Sequence, residues 1–377
     1  MRYLAPFIVN DLKKKMVFLG GPRQCGKTTL AQSLTGQFNR LLYLNWDNSK
    51  HRKEILQEKW AKEDALIVFD ELHKYKLWKN WIKGIFDVQK REHSFLVTGS
   101  ARLDLYRRGG DSLLGRYHYW RLHPFTLSEK PPEMPMDEAF RRLMSVGGFP
   151  EPFLDGNPRE ARRWRRERLD RVIQDDIRDL DLVRDVTRLE LLVELLRTRV
   201  GGPVVYKNLA EDLGVSEPTV KKWIEVLERM YLIFLVYPYS TNLPRSILKP
   251  PKVYFYDNGD VDGNDGARFE NLVASHLLKT IHFLEDRDGF RYQLRYLRDK
   301  EGREVDFVLL KEKKVCEIIE AKWNDDRVSA FLRYYREKLK GVRATQIVGQ
   351  LDRAYDEKAI RVVSAVDELG QLERTSL

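Results

Sequence analysis

Residues 21–28 form the pattern G-x-x-x-x-G-K-[ST], which constrains the fold of this chain more than any other feature. This pattern is a phosphate-binding loop when it joins a strand to a helix. The apolar segment Met16 to Gly20 before it predicts a buried strand, and Thr29 to Leu34 can open a helix. The loop's N–H groups and the positive end of the helix dipole would then face an anion. The sequence therefore predicts an α/β phosphate-binding unit.

Two side chains of the loop have defined tasks in this chemistry. Lys27 would reach the β- and γ-phosphates of a nucleotide, and the Thr28 hydroxyl would bind Mg²⁺. The predicted cofactors are therefore ATP and Mg²⁺. The predicted nucleotide-binding residues are Gly21, Pro22, Arg23, Gln24, Cys25, Gly26, Lys27, Thr28 and Thr29.

A second motif at a suitable distance argues against a chance glycine turn. The apolar run from Leu66 to Phe69 ends in Asp70 and Glu71. Such a run suits a buried parallel strand whose C-terminal end meets the ligand. Asp70 would hold Mg²⁺ through water, and Glu71 would orient the water that attacks the nucleotide. The pair predicts nucleotide hydrolysis.

A third segment, Phe95 to Ser100, predicts another buried strand that ends in small polar residues. Together with Phe69 to Lys74, Thr98 to Arg102 and Leu122 to Glu129, it resembles prokaryotic AAA+ ATPases that carry a nuclease-like C-terminal domain of unknown function. The resemblance spans essentially the whole chain. It implies that Ser100 contacts the γ-phosphate or the attacking water.

The same resemblance implies a role for Arg116. It matches the position from which AAA+ subunits offer an arginine finger to a neighbour's nucleotide, and Arg102 is the second candidate. Such a finger contributes about 10³–10⁵ in rate. The ordinary alternative is an ion pair with a surface carboxylate. A finger implies a homo-oligomer, by resemblance a hexameric ring.

Composition limits location and partners. No apolar stretch approaches the roughly 20 residues that span a bilayer, and Met1 to Asn10 does not have the pattern of a secretory signal. The distant Cys25 and Cys316 predict neither a disulfide framework nor a metal site. We therefore expect a cytoplasmic protein without membrane contact. The net charge of +10 favours an anionic partner, above all DNA.

One predicted helix concentrates the basic charge. Its arginines are Arg159, Arg162, Arg163, Arg165, Arg166, Arg168 and Arg171. An acidic run follows, with Asp175, Asp176, Asp179, Asp181 and Asp185. The helix would either track phosphates or form a solvated, salt-bridged surface, and the sequence leaves both open. If it contacted six phosphates, affinity would fall about 10³-fold between 50 and 200 mM salt.

The remaining pattern divides the chain further. We expect an AAA+ core over residues 1–130, a helical lid over 131–186, a winged helix-turn-helix over 187–250 and a nuclease-like domain over 251–377. In the winged helix, Gly214 makes the turn and Ser216 caps the recognition helix. That helix would expose Lys221, Lys222, Glu225 and Arg229. Binding in the DNA major groove and docking against neighbouring domains both remain open for it.

The C-terminal segment carries a second set of chemical groups. A helix starting at Arg268 contains Glu270, a strand contains Asp306, and a second strand contains Glu320 and Lys322. This order resembles the α/β core of restriction-endonuclease-like nucleases, in particular archaeal Holliday-junction resolvases. Glu320 and Lys322 are two apart on a strand and share a face. A tight hairpin would bring Asp306 opposite them.

The resemblance implies a Mg²⁺ site at this point. Asp306, Glu320 and the Ala321 carbonyl would bind the ion, Glu270 would complete its shell, and Lys322 would position the attacking water. Glu304 could replace Asp306 only if the strand is regular. The alternative is a domain of the same fold that holds DNA without cutting it.

Three hypotheses for function follow. The first is an ATP-hydrolysing motor on branched DNA such as Holliday junctions, with a Mg²⁺-dependent nuclease-like domain. The second is an ATP-driven switch or scaffold whose C-terminal domain binds nucleic acid or protein without cutting. The third is a nuclease gated by ATP binding.

Overall fold

The structure is a computed structural model that describes residues 2–61, 65–100, 103, 113–178, 183, 185–240 and 249–371. Two compact units make up the chain, Met1–His123 and Pro124–Leu377. The first unit is slightly shorter than the predicted AAA+ core, and the segments expected as lid, winged helix and nuclease-like domain all belong to the second. Among the helices that the structure describes, none has the length and apolar character that crossing a membrane requires.

The N-terminal unit is a parallel sheet with helices. Its strands are β1 (Met16–Gly20), β2 (Leu41–Asn45), β3 (Leu66–Asp70), β4 (Ser94–Thr98) and β5 (Tyr117–Arg121). Its helices are α1 (Ala5–Leu12), α2 (Lys27–Ser33), α3 (Ser49–Gln57) and α4 (Trp78–Gln89), with 3₁₀ turns at Leu34–Gln37 and Leu72–Lys74. The strand order is β2-β3-β4-β1-β5, and all pairs are parallel.

The strand sequences explain this sheet. Every residue of β1 and β3 is buried, as expected for parallel strands covered on both faces. Ile82, Ile85 and Phe86 of α4 follow helical spacing and join the core cluster that contains Phe69 and Phe95. Each such side chain contributes about 1.5–3 kcal/mol on burial. The order places the carboxyl end of β1 where the chain direction across the sheet reverses, the usual ligand position in such folds.

The Pro124–Leu377 unit begins with helices. They are α5 (Met136–Ser145), α6 (Pro150–Asp155), α7 (Pro158–Arg171), a π-helix (Val172–Arg178), α8 (Val186–Arg197), α9 (Tyr206–Leu213) and α10 (Glu217–Arg229). Ser216 accepts a hydrogen bond from the Thr219 N–H and so caps α10, and Gly214 adopts a left-handed conformation (φ 62°) after α9. The predicted cap and turn are confirmed.

The rest of this unit is built on one sheet. Its strands are β6 (Ile233–Pro238), β7 (Lys252–Phe255), β8 (Tyr292–Arg298), β9 (Glu304–Lys311), β10 (Lys314–Lys322), β11 (Arg343–Val348), β12 (Tyr355–Glu357) and β13 (Ile360–Ser364). The helices are α11 (Asp265–Asp288), α12 (Ala330–Lys338) and α13 (Ala365–Leu369), with 3₁₀ turns at Leu127–Glu129 and Asn258–Asp260. The strand order is β12-β13-β11-β10-β9-β8-β6-β7.

Strand pairing explains why the predicted boundary at residue 250 does not separate two bodies. Strand β6 pairs antiparallel with β7 and parallel with β8. The hairpin that follows α10 is therefore an edge of the C-terminal sheet. From α11 onward the order is one helix, three antiparallel strands, a helix and a parallel strand.

The hairpin between β9 and β10 has the tight turn that the sequence predicted. Lys311 pairs with Lys314, and Glu312 and Lys313 both have positive φ angles, 48° and 71°. A two-residue turn of this kind follows the twist of the strands that it joins. After one shift between Val315 and Glu317, the register runs to the Phe307–Ile319 pair, so Asp306 lies beside the start of the Glu320–Lys322 segment.

Candidate functional site

The phosphate loop connects β1 to α2 in a conformation that its glycines allow. Gly21 has a φ of 139°, and a Cβ atom there would lie 2.2 Å from the Leu122 carbonyl oxygen. Gly26 has a φ of 91° immediately before α2. Any larger residue at position 21 would collide with backbone, so this glycine fixes the path of the loop.

The Lys27 ammonium lies inside its own loop. Its Nζ donates to the carbonyl oxygens of Gly21 at 3.0 Å and Pro22 at 2.6 Å, and the residue is 8% exposed. Cys25 is buried, with its thiol 3.6 Å from the Leu122 carbonyl oxygen. The neighbouring Thr29 is exposed. The lysine's partners are thus neutral carbonyl groups that a phosphate can replace.

Asp70, at the end of β3, collects three hydroxyl donors. Thr28 Oγ1 donates to Oδ2 at 3.0 Å, Thr98 Oγ1 donates to Oδ1 at 2.6 Å, and the Tyr43 hydroxyl donates to Oδ2. Burial, followed by the hydrogen bond to Asp70, raises the pKa of Tyr43 to about 12, so the phenol keeps its proton. Carboxylate and hydroxyl oxygens suit Mg²⁺, so Thr28 and Asp70 fit the predicted metal. Sequence reasoning missed Tyr43.

Glu71 follows β3 in a left-handed conformation with a φ of 56°. Its N–H donates to the Thr98 carbonyl at 3.0 Å, and its carboxylate lies 3.5 Å from both His73 Nε2 and Lys74 Nζ. Burial raises the pKa of Glu71, while the charges of Lys74 and Lys27 oppose this shift. The carboxylate is therefore held at the same edge of the sheet as Asp70.

His73 was given no role from the sequence, but it is only 2% exposed and lies beside Glu71. A Cβ atom at Gly99 would lie 2.8 Å from His73 Nδ1, so the glycine after β4 makes room for the imidazole. The only sequence signal was the position of the histidine two residues after Glu71.

Ser100, Arg116 and Arg102 complete the residues that the sequence predicted for this site. Ser100 is 2% exposed, and its hydroxyl makes no hydrogen bond to any residue that the structure describes. Arg116 forms a two-pronged ion pair with Asp87, at 2.8 and 3.0 Å. That pair is the alternative that the sequence left open for Arg116. Arg102 lies outside the described residues.

A second cluster lies in the Pro124–Leu377 unit, where carboxylates from α11 and β9 converge on the ammonium group of Lys252. Its Nζ lies 2.7 Å from Glu304 Oε1, 3.2 Å from Glu270 Oε1 and 3.5 Å from Asp306 Oδ1. Glu304 and Asp306 are two apart on β9 and reach the same lysine, although the register between β8 and β9 shifts beside them, between Arg295 and Leu297. Lys252 is 2% exposed. Sequence reasoning missed this residue.

Glu320 and Lys322 on β10 lie on the other side of Asp306. Lys322 Nζ is 2.9 Å from Glu320 Oε1, and the Ala321 N–H donates to Asp306 Oδ2 at 3.0 Å. Burial and the charge of Asp306 raise the pKa values of both Glu270 and Glu320 to about 7, against the opposing charges of Lys252 and Lys322 respectively. The structure thus brings together all four residues that the sequence selected.

Their arrangement differs from the predicted Mg²⁺ site. Among the described residues, no three His, Cys, Asp or Glu side chains are grouped so that they could hold a metal ion. Glu270, Asp306 and Glu320 were expected to share the ion with the Ala321 carbonyl, but Lys252 lies between two of them. The residues present therefore do not fit Mg²⁺ as predicted, because an ammonium group already lies between Glu270 and Asp306.

The arginine-rich helix is α7. Arg159, Arg162, Arg163 and Arg166 are exposed and follow the spacing of one helical face. Arg163 pairs with Glu167 at 3.2 Å, whereas the other three have no described carboxylate within 4.0 Å. Asp179 and Asp181 of the acidic run lie outside the described residues, as do the side chains of Asp175 and Asp176.

The helix for which the sequence left both DNA binding and docking against neighbouring domains open is α10. Lys221, Lys222, Glu225 and Arg229 are exposed on it, as predicted.

Comparison with known proteins supports the assignment of the first site. Residues 13–130 match the family model of an AAA domain, and residues 137–261 and 265–366 match two domains of unknown function, DUF8612 and DUF4143. Together with the phosphate loop and the Thr28–Asp70 contact, the first match identifies a P-loop ATPase domain. The second match spans the segments expected as lid and winged helix.

The relatives found are themselves without assigned function. An uncharacterized protein of Mycobacterium tuberculosis is 24% identical over 246 residues, covering 65% of this chain and 54% of that protein. An uncharacterized protein of Methanocaldococcus jannaschii is 25% identical, covering 83% of this chain and 76% of the relative. The match thus spans about half the length of the mycobacterial relative. A solved Walker-type ATPase of Pyrococcus abyssi is 15% identical with a TM-score of 0.43, covering 67% of this chain and 92% of that one.

Proposed function

We propose that the N-terminal unit hydrolyses ATP with Mg²⁺. The contact that supports this most directly is the 3.0 Å hydrogen bond between the Thr28 hydroxyl and the Asp70 carboxylate. It lies at the end of the loop whose path requires glycine at position 21. It joins the two oxygen ligands that a nucleotide-bound Mg²⁺ takes from a P-loop protein. When bound, Mg²⁺ neutralises charge that develops on the phosphates.

The side chains of the site have separate tasks in this proposal. Lys27 exchanges its two carbonyl partners for phosphate oxygens, which are stronger acceptors because they are charged. Glu71 orients the attacking water and accepts its proton, and His73 holds the Glu71 carboxylate in position. The buried Ser100 hydroxyl is available to donate to the γ-phosphate or to the water.

The test is phosphate release from ATP in the presence of Mg²⁺. Lys27→Ala and Asp70→Asn should each lower the rate by about 10²–10³-fold, the usual loss on removing a preorganised electrostatic contact. Lys53→Ala, which removes an exposed lysine of α3, serves as the matched control and should keep the wild-type rate. Equal rates in all four proteins would overturn the proposal.

We further propose that the ATPase works as a ring, by resemblance a hexamer, with Arg116 acting on the neighbour's nucleotide. Release of Arg116 from Asp87 costs little because the pair is exposed. Mixing two inactive variants tests this: Arg116→Ala and Glu71→Gln subunits should recover activity together, since one mixed interface would contain both residues. No recovery in mixed rings would leave Arg116 as the partner of Asp87 and move the finger to Arg102.

The partner that we propose is DNA, bound by the Pro124–Leu377 unit. Three of the four arginines on the exposed face of α7 have no described carboxylate partner, which favours the phosphate-binding interpretation over a salt-bridged surface. The exposed Lys221, Lys222 and Arg229 on α10, followed by the β6–β7 hairpin, support a winged-helix interpretation of this region. A switch that binds a protein partner remains the alternative function.

Binding of a labelled four-way DNA junction and of a matched linear duplex tests the partner. The variant Arg159→Ala/Arg162→Ala/Arg166→Ala should weaken binding and reduce the slope of affinity against salt. The control Lys207→Ala/Lys300→Ala/Lys340→Ala removes the same charge from exposed positions elsewhere in the unit. Equal losses in both variants would indicate attraction by net charge alone, and preference for the junction would support branched DNA as the substrate.

The element order from α11 to β11 supports a restriction-endonuclease-like fold for the C-terminal part. Glu270, Asp306, Glu320 and Lys322 occupy the helix and strand positions that the resemblance requires. Cutting by such a domain would require a bound metal ion, and Lys252 lies among the carboxylates that would bind it.

A further inference from the structure

Main-chain pairing on both sides fixes the position of Lys252 in the fold. Lys252 begins β7, which pairs with β6, and it forms an isolated antiparallel bridge with Pro203. On the neighbouring residue, the Pro251 carbonyl accepts a 2.7 Å hydrogen bond from the Val204 N–H. The lysine therefore extends from a fixed backbone into the cluster, which limits how far its Nζ can withdraw.

The ammonium group lies among three carboxylates. Its Nζ is 2.7–3.5 Å from oxygens of Glu304, Glu270 and Asp306. The Tyr296 ring lies 5.6 Å from Nζ. The Lys252 ammonium therefore lies where a bound cation would meet these carboxylates.

Most carboxylate oxygens of this cluster already accept hydrogen bonds or pair with an ammonium group. Asp306 Oδ1 lies 3.5 Å from Lys252 Nζ, and Asp306 Oδ2 accepts a hydrogen bond from the Ala321 N–H. Glu270 Oε1 accepts from both Lys252 and the Tyr254 hydroxyl, the latter at 2.7 Å. Glu320 Oε1 pairs with Lys322, and its Oε2 is the remaining oxygen of this carboxylate, buried without a hydrogen bond to a described residue. Both hydrogen bonds of Glu270 to described residues end on Oε1, so its Oε2 is open as well. Mg²⁺ requires about six oxygen ligands, so these two open carboxylate oxygens are too few.

The absence of a side chain at Gly201 makes room for the Glu270 carboxylate. The φ of Gly201 is 73°, and a Cβ atom there would lie 2.8 Å from both carboxylate oxygens of Glu270. Only glycine lets the loop between α8 and α9 pass so close to Glu270. The loop thus passes directly against the Glu270 carboxylate because residue 201 has no side chain.

We propose that the Lys252 ammonium is the built-in cation of this cluster, so that the C-terminal domain does not bind a catalytic divalent metal ion. The domain then keeps the fold and carboxylates of a nuclease but lacks the Lewis acid that phosphodiester hydrolysis requires. It holds its partner without cutting it. The cluster is remote in sequence from the phosphate loop, so metal binding to it can be followed without nucleotide.

Binding of Mn²⁺, followed by electron paramagnetic resonance without nucleotide, provides the test. Wild type and Asp306→Asn should bind the same amount of Mn²⁺, because Asp306 has no metal to lose. Lys252→Ala should bind one additional ion with an affinity at least about tenfold above wild type, since removal of the ammonium leaves three carboxylates facing each other. The double variant Lys252→Ala/Asp306→Asn should lose that ion again.

Two results would overturn the proposal. The first is Mn²⁺ binding in wild type that falls in Asp306→Asn, or Mg²⁺-dependent DNA cleavage by wild type that Asp306→Asn abolishes. The second is a folded Lys252→Ala protein that gains no ion. Circular dichroism checks folding, and Lys252→Met, which keeps the length of the side chain, replaces the alanine variant if that protein does not fold. The comparison of wild type with Asp306→Asn decides the question even if neither lysine variant folds.

Discussion

Lys27 in the first unit and Lys252 in the second are both buried, but they occupy opposite kinds of environment. Lys27 donates to two carbonyl oxygens of its own loop, whereas Lys252 is surrounded by three carboxylates from α11 and β9. Both are nearly inaccessible, at 8% and 2% exposure. Burial is therefore not what separates them; the charge of their partners is.

The difference decides what each lysine can do. Neutral carbonyls hold an ammonium weakly enough for a phosphate to replace them, because charge-assisted hydrogen bonds are roughly twice as strong as neutral ones. Three carboxylates bind it in a low-dielectric setting where no incoming anion competes. Lys27 is thus suited to a ligand that arrives and leaves, and Lys252 to a permanent structural charge.

The largest expected effect is on stability. Lys252→Ala should reduce the free energy of unfolding by about 3–5 kcal/mol, because it leaves buried carboxylates without their cation. Lys27→Ala should cost about 1 kcal/mol, since only bonds to carbonyls are lost. Urea unfolding followed by tryptophan fluorescence measures both. Similar costs for the two variants would remove the contrast between the lysines.

Replacement of the carboxylate next to the phosphate loop tests the catalytic side of the comparison. Glu71→Gln should lower kcat by about 10²–10⁴-fold while ATP still binds, because the side chain can no longer accept a proton. Burial raises the pKa of Glu71 above its usual 4.5, so kcat in wild type should increase as pH rises through a value above 4.5. A pH–rate profile that keeps this limb in Glu71→Gln would assign the base elsewhere.

Glu228 on α10 is a buried carboxylate whose hydrogen-bond partner is the Leu235 N–H, at 3.1 Å. Burial raises the pKa of Glu228 to about 7 from 4.5. The folded state therefore binds a proton more tightly than the unfolded state, and stability should fall as pH rises from about 4.5 to about 7, by up to about 3 kcal/mol.

Glu228→Gln should remove this contribution, which is measured as the difference in unfolding free energy between variant and wild type across that pH range. The matched control is Glu217→Gln, an exposed glutamate on the same helix that should keep the wild-type slope. A slope that is unchanged in Glu228→Gln would show that the carboxylate is ionised in the folded protein.

The smallest effect is expected at the exposed Arg116–Asp87 pair. Asp87→Ala should leave the midpoint of urea unfolding unchanged within error, because water and salt screen the pair. A shift comparable to that of Lys252→Ala would mean that Arg116 is structurally fixed and not free to act on a neighbour.

Much of the first site, and the hairpin that carries Asp306 in the second unit, could be predicted from local sequence. Met16 to Gly20 was predicted as the strand before the loop and is β1, and the strand ending in Asp70 is β3. The tight turn between β9 and β10 was predicted, and with it the approach of Asp306 to Glu320. These predictions succeeded because each depends on residues a few positions apart, where strand alternation and turn geometry fix the outcome.

Tyr43 and Lys252 were missed for the opposite reason. Tyr43 reaches Asp70 because β2 and β3 are neighbours, and no sequence pattern records that pairing. Lys252 is one of 67 lysines and arginines, and its sequence neighbours do not distinguish it. The joining of β6 and β7 to the C-terminal sheet was missed likewise, because it depends on the distant strand β8.

The sequence by itself determined the phosphate loop, its strand and helix, the carboxylates at the end of β3 and the hairpin that carries Asp306. Only the tertiary structure decided which cation lies among the C-terminal carboxylates. The physical reason is range: backbone preferences act over a few residues, whereas the partner of a buried charge is chosen by whichever distant segment the fold brings within about 4 Å. Here that segment carries Lys252, and its charge takes the position in which the sequence predicted a metal ion.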